Sequence, residues 1–354
     1  MIRDFTRRAW FAIPGDPETL TGGYAYARHL TSALADRGCQ LDVVNLPASF
    51  PLSTPDDHDI ACESLIALEK DRPVLVDGLA FGALDAHFLA NAPHHWVALI
   101  HHPLSLESGL DGATSSRLRE TEKAALATAS AVIVTSPATA RCLVADYEVP
   151  EHHITVVRPG TERAARSSCK GVVPKLLSVA TLTPRKGYDV LVQAYACMTN
   201  LDWTAIWVGS LNRDPATANA VRRVVADHGL ADRITFAGEV SADTLEEIYR
   251  TADMFVLASR HEGYGMAFAE ALAHGLPVIG CAVGALPETV PANAGMLVPA
   301  DNPGALAAAV KRLLTDTSER CAMAEAAWQY GNTLPTWEQA AAQVEAVLAA
   351  AMTA

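Results

Sequence analysis

The sequence predicts an α/β protein with two doubly wound parallel-sheet domains. Short apolar runs alternate with amphipathic stretches along most of the chain, the pattern of parallel strands joined by crossover helices. The chain has 354 residues, half of them hydrophobic and 19% charged, which is more than one core of ordinary size requires. The alternation also pauses once, in a polar stretch containing Pro159, Gly160, Gly171 and Pro174, and then restarts.

In order, "AWFAIPG" (9–15) reads as a strand and "GYAYARHLTSALADRG" as a helix stopped by Gly38. "QLDVVNLP", "PVLVDGL", "HWVALIHHP" and "SAVIVTS" read as further strands, with helical patterns such as "TSSRLRETEKAALATA" between them. The pause spans "ITVVRPGTERAARSSCKGVVPK". It sets an expected linker at 163–173 and domains at 1–165 and 166–334. Beyond it, "KLLSVAT", "WTAIWVGS", "RITFAGE", "DMFVLAS" and "PVIGCAV" are strands. They alternate with the helices "GYDVLVQAYACM", "ATANAVRRVVADHG", "ADTLEEIYRTA" and "AFAEALAHG", and "TWEQAAAQVEAVLAAAMTA" closes the chain as one helix. Two such domains on a short linker are expected to face each other across a cleft at the carboxyl ends of their strands, where open α/β sheets place ligands.

The net charge of −13 is shared by both parts, with 13 Lys/Arg against 21 Asp/Glu up to residue 165 and 14 against 19 beyond it. An acidic surface without a basic patch argues against nucleic acid and anionic lipid as partners. Arg7-Arg8, with Arg3 nearby, is the longest basic cluster. The seven scattered cysteines form no CxxC, so neither a disulfide framework nor a zinc site is expected. No segment approaches the ~20 uncharged apolar residues of a membrane span, and the N-terminus lacks the apolar run of a signal peptide. A cytoplasmic location without stable membrane association is expected.

Four places could carry chemistry. In "SRHEGYGMAFAEALAHGLPVIG", Glu262 falls in a strand-to-helix loop and Glu270 about one turn into the helix. Gly263 and Gly265 let main-chain N–H groups approach a ligand, and the helix start favours a phosphate. Two carboxylates so placed can accept from two sets of hydroxyls, which suits a nucleotide sugar; the alternative is a helix-dipole glutamate and a solvated one. In "LTPRKGYDVL", Arg185 and Lys186 end a strand and could neutralise a diphosphate, or simply be helix-start charges. Gly22-Gly23 opens the first helix without completing a GxGxxG fingerprint, and a simple loop explains it equally well. His101-His102 follows a strand and could meet a substrate hydroxyl or serve as a capping histidine; a metal there would need more ligands. GxSxG, Walker A and HExxH motifs are absent.

"EGYGMAFAE" resembles the E-x7-E motif of the retaining glycosyltransferases of family 4, the group 1 glycosyltransferases. "TGGYAYARHLTSALADRGCQLDVV" is similar to that family's opening strand–Gly-Gly–helix, and "ITVVRPGTE" to the end of its first domain. "SVATLTPRKGYDVLVQA", "AGEVSADTLEEIYRTADMFVLAS" and "GLPVIGCAVGALPETV" fall in family order over the second domain. "PTWEQAAAQ" resembles the helix that crosses back, so residues 335–354 are expected to complete the first domain.

The resemblance implies the GT-B fold, two Rossmann-like domains: an acceptor-binding N-terminal one and a donor-binding C-terminal one. It implies that Arg185 and Lys186 hold the donor diphosphate, Glu262 the sugar hydroxyls and Glu270 the ribose. Gly263, Tyr264, Gly265 and Met266 would line sugar and phosphate, and Gly238, Glu239 and Val240 the base. His101 would sit beside the transferring sugar and Gly22 and Gly23 near the diphosphate. Ala180-Thr181 stands where many members have Gly-Arg, and Arg185 would take that arginine's place. Arg158-Pro159-Gly160 replaces the usual Pro-Asn-Gly in a stretch read as hinge.

The implied activity is retaining transfer of a hexosyl group from a UDP- or GDP-hexose to a hydroxyl of a small soluble acceptor, such as a pterin-like heterocycle, or of a glycan. No cofactor or metal is implied, and the oligomeric state is left open. Another GT-B chemistry, an epimerase or phosphorylase, and a catalytically silent sugar-nucleotide binder are the alternatives.

Overall fold

A computed structural model describes residues 7–19, 21–107, 109–169 and 171–353. It divides into two units: residues up to Gly160 together with those from Pro335, and Thr161–Leu334. Arg3 lies outside the described residues.

Among the described residues the first unit holds six parallel strands: β1 (Arg8–Pro14), β2 (Gln40–Leu46), β3 (Val74–Asp77), β4 (Trp96–Ile100), β5 (Ala131–Val134) and β6 (Ile154–Val156). Their order across the sheet is β2-β1-β3-β4-β5-β6. β3 and β4 are buried along their whole length, which is why they read as unbroken apolar runs rather than alternating ones. β6 comes from "ITVV", which the sequence reading placed in the pause. Three residues at a sheet edge leave too short a signal to separate from the coil that follows.

The helix Trp337–Ala351 belongs to this first unit. Its start is a capping box in which Thr336 and Gln339 satisfy each other's backbone N–H groups. Its Trp337 lies edge-on to Tyr26, with ring centroids 5.4 Å apart. Gly160 is where the backbone passes this helix: a Cβ there would sit 2.3 Å from the Trp337 nitrogen, so no other residue fits.

The second unit repeats the plan with β7 (Lys175–Val179), β8 (Thr204–Val208), β9 (Ile234–Gly238), β10 (Met254–Leu257), β11 (Val278–Cys281) and β12 (Gly295–Val298). The order is β12-β11-β10-β7-β8-β9, with all strands parallel. Two connecting helices, Pro215–Asp227 and Pro303–Thr315, open on proline, which gives up an N–H that has no helical partner in the first turn. The core packs Trp203, Trp207, Phe255 and Phe268 among aliphatic side chains.

The boundary lies between Gly160 and Thr161, five residues before the expected one. The stretch expected as a linker, 163–173, is packed onto the second unit. The Ser167 hydroxyl donates to the Ala252 carbonyl (2.5 Å) and its N–H to that of His274 (2.8 Å). The Asp253 carboxylate accepts from the N–H groups of Gly171 and Lys175 at 2.7 and 2.9 Å. Polar, proline- and glycine-rich composition signalled irregular backbone here, but irregular backbone whose polar groups are paired can be as fixed as a strand. Among the described residues no helix is long and apolar enough to cross a membrane.

Candidate functional site

β7 and β10 are neighbours at the point where the strand order of the second sheet reverses. Chain leaving two such strands departs to opposite faces, which opens a crevice between their carboxyl ends. The turn after β7, Pro184–Lys186, carries Arg185 and Lys186. The loop after β10 runs from Ala258 to Gly265 and carries Glu262.

The two loops are fastened to each other. The Arg260 N–H donates to the Arg185 carbonyl at 2.7 Å, and the Arg260 guanidinium reaches Asp189 at 2.7 Å and Asp301 at 2.8 Å. Gly187 ends the turn at φ +65°, and a Cβ on it would lie 2.0 Å from the Ala258 carbonyl oxygen. Only glycine allows the turn to approach β10 this closely.

Within this frame Lys186 Nζ donates to Glu262 Oε1 at 2.6 Å, and Ser259 Oγ donates to the same oxygen at 2.6 Å. Arg185 Nη1 stands 3.9 Å from the other oxygen, Oε2, and donates to the His261 carbonyl at 3.0 Å. Glu262 is 7% exposed. Burial alone would raise its carboxyl pKa, but Lys186, Arg185 and the two donated hydrogen bonds bring it down from 4.5 to about 2. Its backbone is held as well, since the Ala285 N–H donates to the Glu262 carbonyl at 2.9 Å. The carboxylate is therefore ionised and can act only as an acceptor.

Gly265 (φ +90°) precedes the helix Met266–Ala273, and no side chain caps that start. The Phe268 and Ala269 N–H groups both donate to the Gly265 carbonyl at 3.0 Å and close the first turn; Gly263, Tyr264, Gly265 and Met266 lead into it, and a helix start of this kind favours an anion. Tyr264 is buried, and its carbonyl accepts from Thr289 Oγ1 at 2.8 Å. Glu270 is the fifth residue of the helix and half-buried. Burial pushes its carboxyl up to about 7, against a hydrogen bond from Tyr249 Oη to Oε2 at 2.9 Å. The pair thus splits into one carboxylate fixed in its charged form and one poised near neutrality.

Gly238 (φ +69°) ends β9, with Glu239 exposed and Val240 half-buried behind it. β8 separates β9 from β7, so this turn lies two strands from the Arg185–Lys186 turn.

The remaining site candidates belong to the first unit. Gly22 and Gly23 begin the helix Gly22–Asp36 after β1, both exposed, with nothing within 4 Å of where a Cβ would stand. Among the described residues no packing explains them. His101 follows β4; its Nε2 lies 3.4 Å from Asp77 Oδ2 at the end of β3, and its ring meets Tyr26 edge-on at 5.0 Å. Its carbonyl accepts from Thr135 Oγ1 at 3.2 Å. His102 faces Glu107, with Nε2 and Oε2 3.1 Å apart.

Sequence reasoning overlooked Ser259, Arg260 and Tyr249. Ser259 stands three residues before Glu262, a spacing that could have suggested a loop contact. Tyr249 is 21 residues from Glu270, and no local pattern links them.

Residues 173–316 match the family described as glycosyl transferases group 1. The chain is 31% identical over 166 residues to the mannosylfructose-phosphate synthase of Agrobacterium fabrum, covering 42% of this chain and 37% of that one. It is 31% identical over 224 residues to a D-inositol 3-phosphate glycosyltransferase of Corynebacterium glutamicum, covering 58% and 53%. The chain thus spans about a third to a half of the length of these two curated relatives. Among solved structures, the sucrose-phosphate synthase of Thermosynechococcus elongatus superposes with a TM-score of 0.81 at 24% identity, covering 95% of this chain and 97% of that one. An Anabaena HepE protein in complex with UDP-glucose superposes at 0.77 with 17% identity, covering 97% and 99%. These likenesses establish the fold as that of the GT-B glycosyltransferases. Residues 173–316, which carry the Arg185–Lys186 turn, the Glu262 loop and the Glu270 helix, are a group 1 glycosyltransferase domain.

Proposed function

We propose that the protein is a retaining glycosyltransferase that moves a hexosyl group from a UDP- or GDP-hexose to a hydroxyl of a small soluble or glycan acceptor. The observation that carries this reading is the Lys186–Glu262–Ser259 cluster with Arg185 beside it, at the reversal point of the second sheet. Arg185 and Lys186 take the donor diphosphate, with the backbone of Gly263, Tyr264, Gly265 and Met266 at the helix start. Charge that develops on the departing nucleoside diphosphate is stabilised by cations already held in place, without a metal ion. Lys186 then divides its protons between Glu262 and phosphate, and Glu262 Oε2 accepts from the sugar hydroxyls. Glu270 accepts from the ribose, the Gly238, Glu239 and Val240 turn faces the base, His101 serves the transferring sugar, and Gly22 and Gly23 serve the diphosphate.

The names of the two curated relatives carry fructose-phosphate and inositol 3-phosphate, which supports a small soluble acceptor. The bound UDP-glucose of the HepE structure supports the donor class. The test is a donor screen on the purified chain with UDP-glucose, UDP-GlcNAc, GDP-mannose and GDP-glucose, following thermal shift and release of free nucleotide. A stabilising shift from one nucleotide family, lost in Glu270→Ala, is expected. No shift from any donor would remove the glycosyltransferase reading.

A further inference from the structure

Tyr249 lies on the helix Ala242–Thr251, is 2% exposed, and points its hydroxyl at the helix that carries Glu270. Two acceptors lie within its reach, Glu270 Oε2 at 2.9 Å and the Ala267 carbonyl at 3.4 Å. A phenol has one proton to give, and the nearer acceptor, the Glu270 carboxyl, takes it. The ring itself cannot swing away. His274 stacks on its face, with centroids 4.6 Å apart and planes 4° from parallel. His274 is fixed in turn by Nδ1 at 2.9 Å from the Ala165 carbonyl and Nε2 at 3.3 Å from Glu246 Oε2. A glutamate has three side-chain torsions, and a carboxylate held at one oxygen has lost most of that freedom before any ligand arrives.

We propose that Tyr249 is a positioning residue for the donor nucleotide: by binding Glu270 Oε2 it turns Oε1 toward the ribose hydroxyls. The inference rests on the reading of Glu270 as the ribose-binding carboxylate. Tyr249 touches neither the sugar nor the phosphates and acts through Glu270 alone. Its contribution is therefore specific to the ribose, whereas a merely structural role would weaken every ligand of the domain together.

The experiment measures dissociation constants of UDP, 2′-deoxy-UDP and inorganic pyrophosphate for the full chain and for Tyr249→Phe, Glu270→Ala and the double variant. If GDP is the nucleotide the protein takes, GDP and its 2′-deoxy form replace the uridine pair. Tyr249→Phe removes one hydroxyl and leaves the stacked ring, and unchanged pyrophosphate binding reports that the variant is folded. The expected result is a preference for the ribonucleotide of about tenfold in the wild type, the order of one hydrogen bond to a charged group. The preference shrinks at least threefold in Tyr249→Phe, is lost in Glu270→Ala, and falls no further in the double variant. A wild-type preference retained by Tyr249→Phe while Glu270→Ala loses it overturns this proposal and leaves the donor-site reading standing. Preference retained by Glu270→Ala, or no nucleotide binding at all, removes the ribose reading and the proposal with it.

Discussion

Lys186 Nζ and the Ser259 hydroxyl converge on one oxygen of Glu262, each at 2.6 Å, although 76 residues separate Lys186 from the carboxylate. The side chains of Lys186 and Glu262 are 17% and 9% exposed, so this is a largely desolvated ion pair. Removing one partner leaves the other's charge largely buried without its nearest counter-charge. Lys186→Met is expected to cost about 3 kcal/mol in denaturant unfolding. Lys186→Met combined with Glu262→Gln should recover part of that loss without restoring nucleotide binding. A double variant no more stable than the single one would show that the pair contributes through something other than charge.

The pH dependence of the cluster follows from the Glu262 carboxyl, held at about 2 against an ordinary 4.5. A folded pKa below the unfolded value gives stability that is present above the unfolded value and is lost as pH falls toward the folded one. Acid unfolding is thus expected to steepen below pH 4.5, and Glu262→Gln to lose this acid limb. Glu270 runs the other way, with its carboxyl raised from 4.5 to about 7. Its burial costs stability progressively as pH rises from 4.5 to about 7. With Glu270 as the proposed ribose acceptor, binding needs its ionised form, so nucleotide affinity should rise about tenfold between pH 6 and pH 8. Titration calorimetry at both values, with Glu270→Gln as the pH-insensitive control, decides it.

Gly187 sets the distance between the Arg185–Lys186 turn and β10. Gly187→Ala combines a left-handed φ of +65° with a Cβ 2.0 Å from the Ala258 carbonyl. The expected outcome is a loss of more than about 2 kcal/mol in thermal or denaturant unfolding, since the backbone penalty alone is ~1–2 kcal/mol. Pyrophosphate affinity should fall in parallel, because the cations ride on this turn. Gly22→Ala meets nothing within 4 Å, so its stability should match the wild type; a change confined to donor binding would give this glycine its role.

In the first unit Glu122 is 0% exposed, and its Oε2 accepts from the Leu104 N–H at 2.9 Å. Burial pushes its carboxyl from 4.5 up to about 8. The folded state keeps this side chain neutral, so its contribution is greatest below pH 4.5 and fades as pH rises to about 8. Glu122→Gln preserves shape and acceptor and should stay within about 1 kcal/mol of the wild type at pH 7 while flattening the alkaline loss. Glu122→Ala strands the Leu104 N–H beside a cavity and should cost about 2–3 kcal/mol. Unfolding midpoints of the three proteins at pH 6 and pH 9 distinguish these outcomes.

Much of the fold was legible because its signals are local. Fully buried strands such as "MFVL" and "WVALI" are unbroken apolar runs, and helix starts are marked by Thr336 or by a proline at the first helical position. β6 and the 163–173 segment were read wrongly for the same reason. One is a short edge strand, and the other is irregular backbone held by Ser167 and Asp253, whose partners lie about 80 residues away in sequence.

The candidate site divides along that line. That Glu262 precedes a helix start and Glu270 follows one turn inside it was legible in the residues alone. Spacing along one strand–loop–helix unit sets those positions, and glycine identity sets the backbone between them. That one carboxylate is charged and the other half-ionised near pH 7 comes from three-dimensional packing. Protonation depends on what surrounds each group: Lys186 arrives through the pairing of β7 with β10 and holds Glu262 ionised, while burial raises the Glu270 carboxyl against the hydrogen bond that helix packing brings from Tyr249. Neither contact has a period in the sequence, because burial and charge act through space.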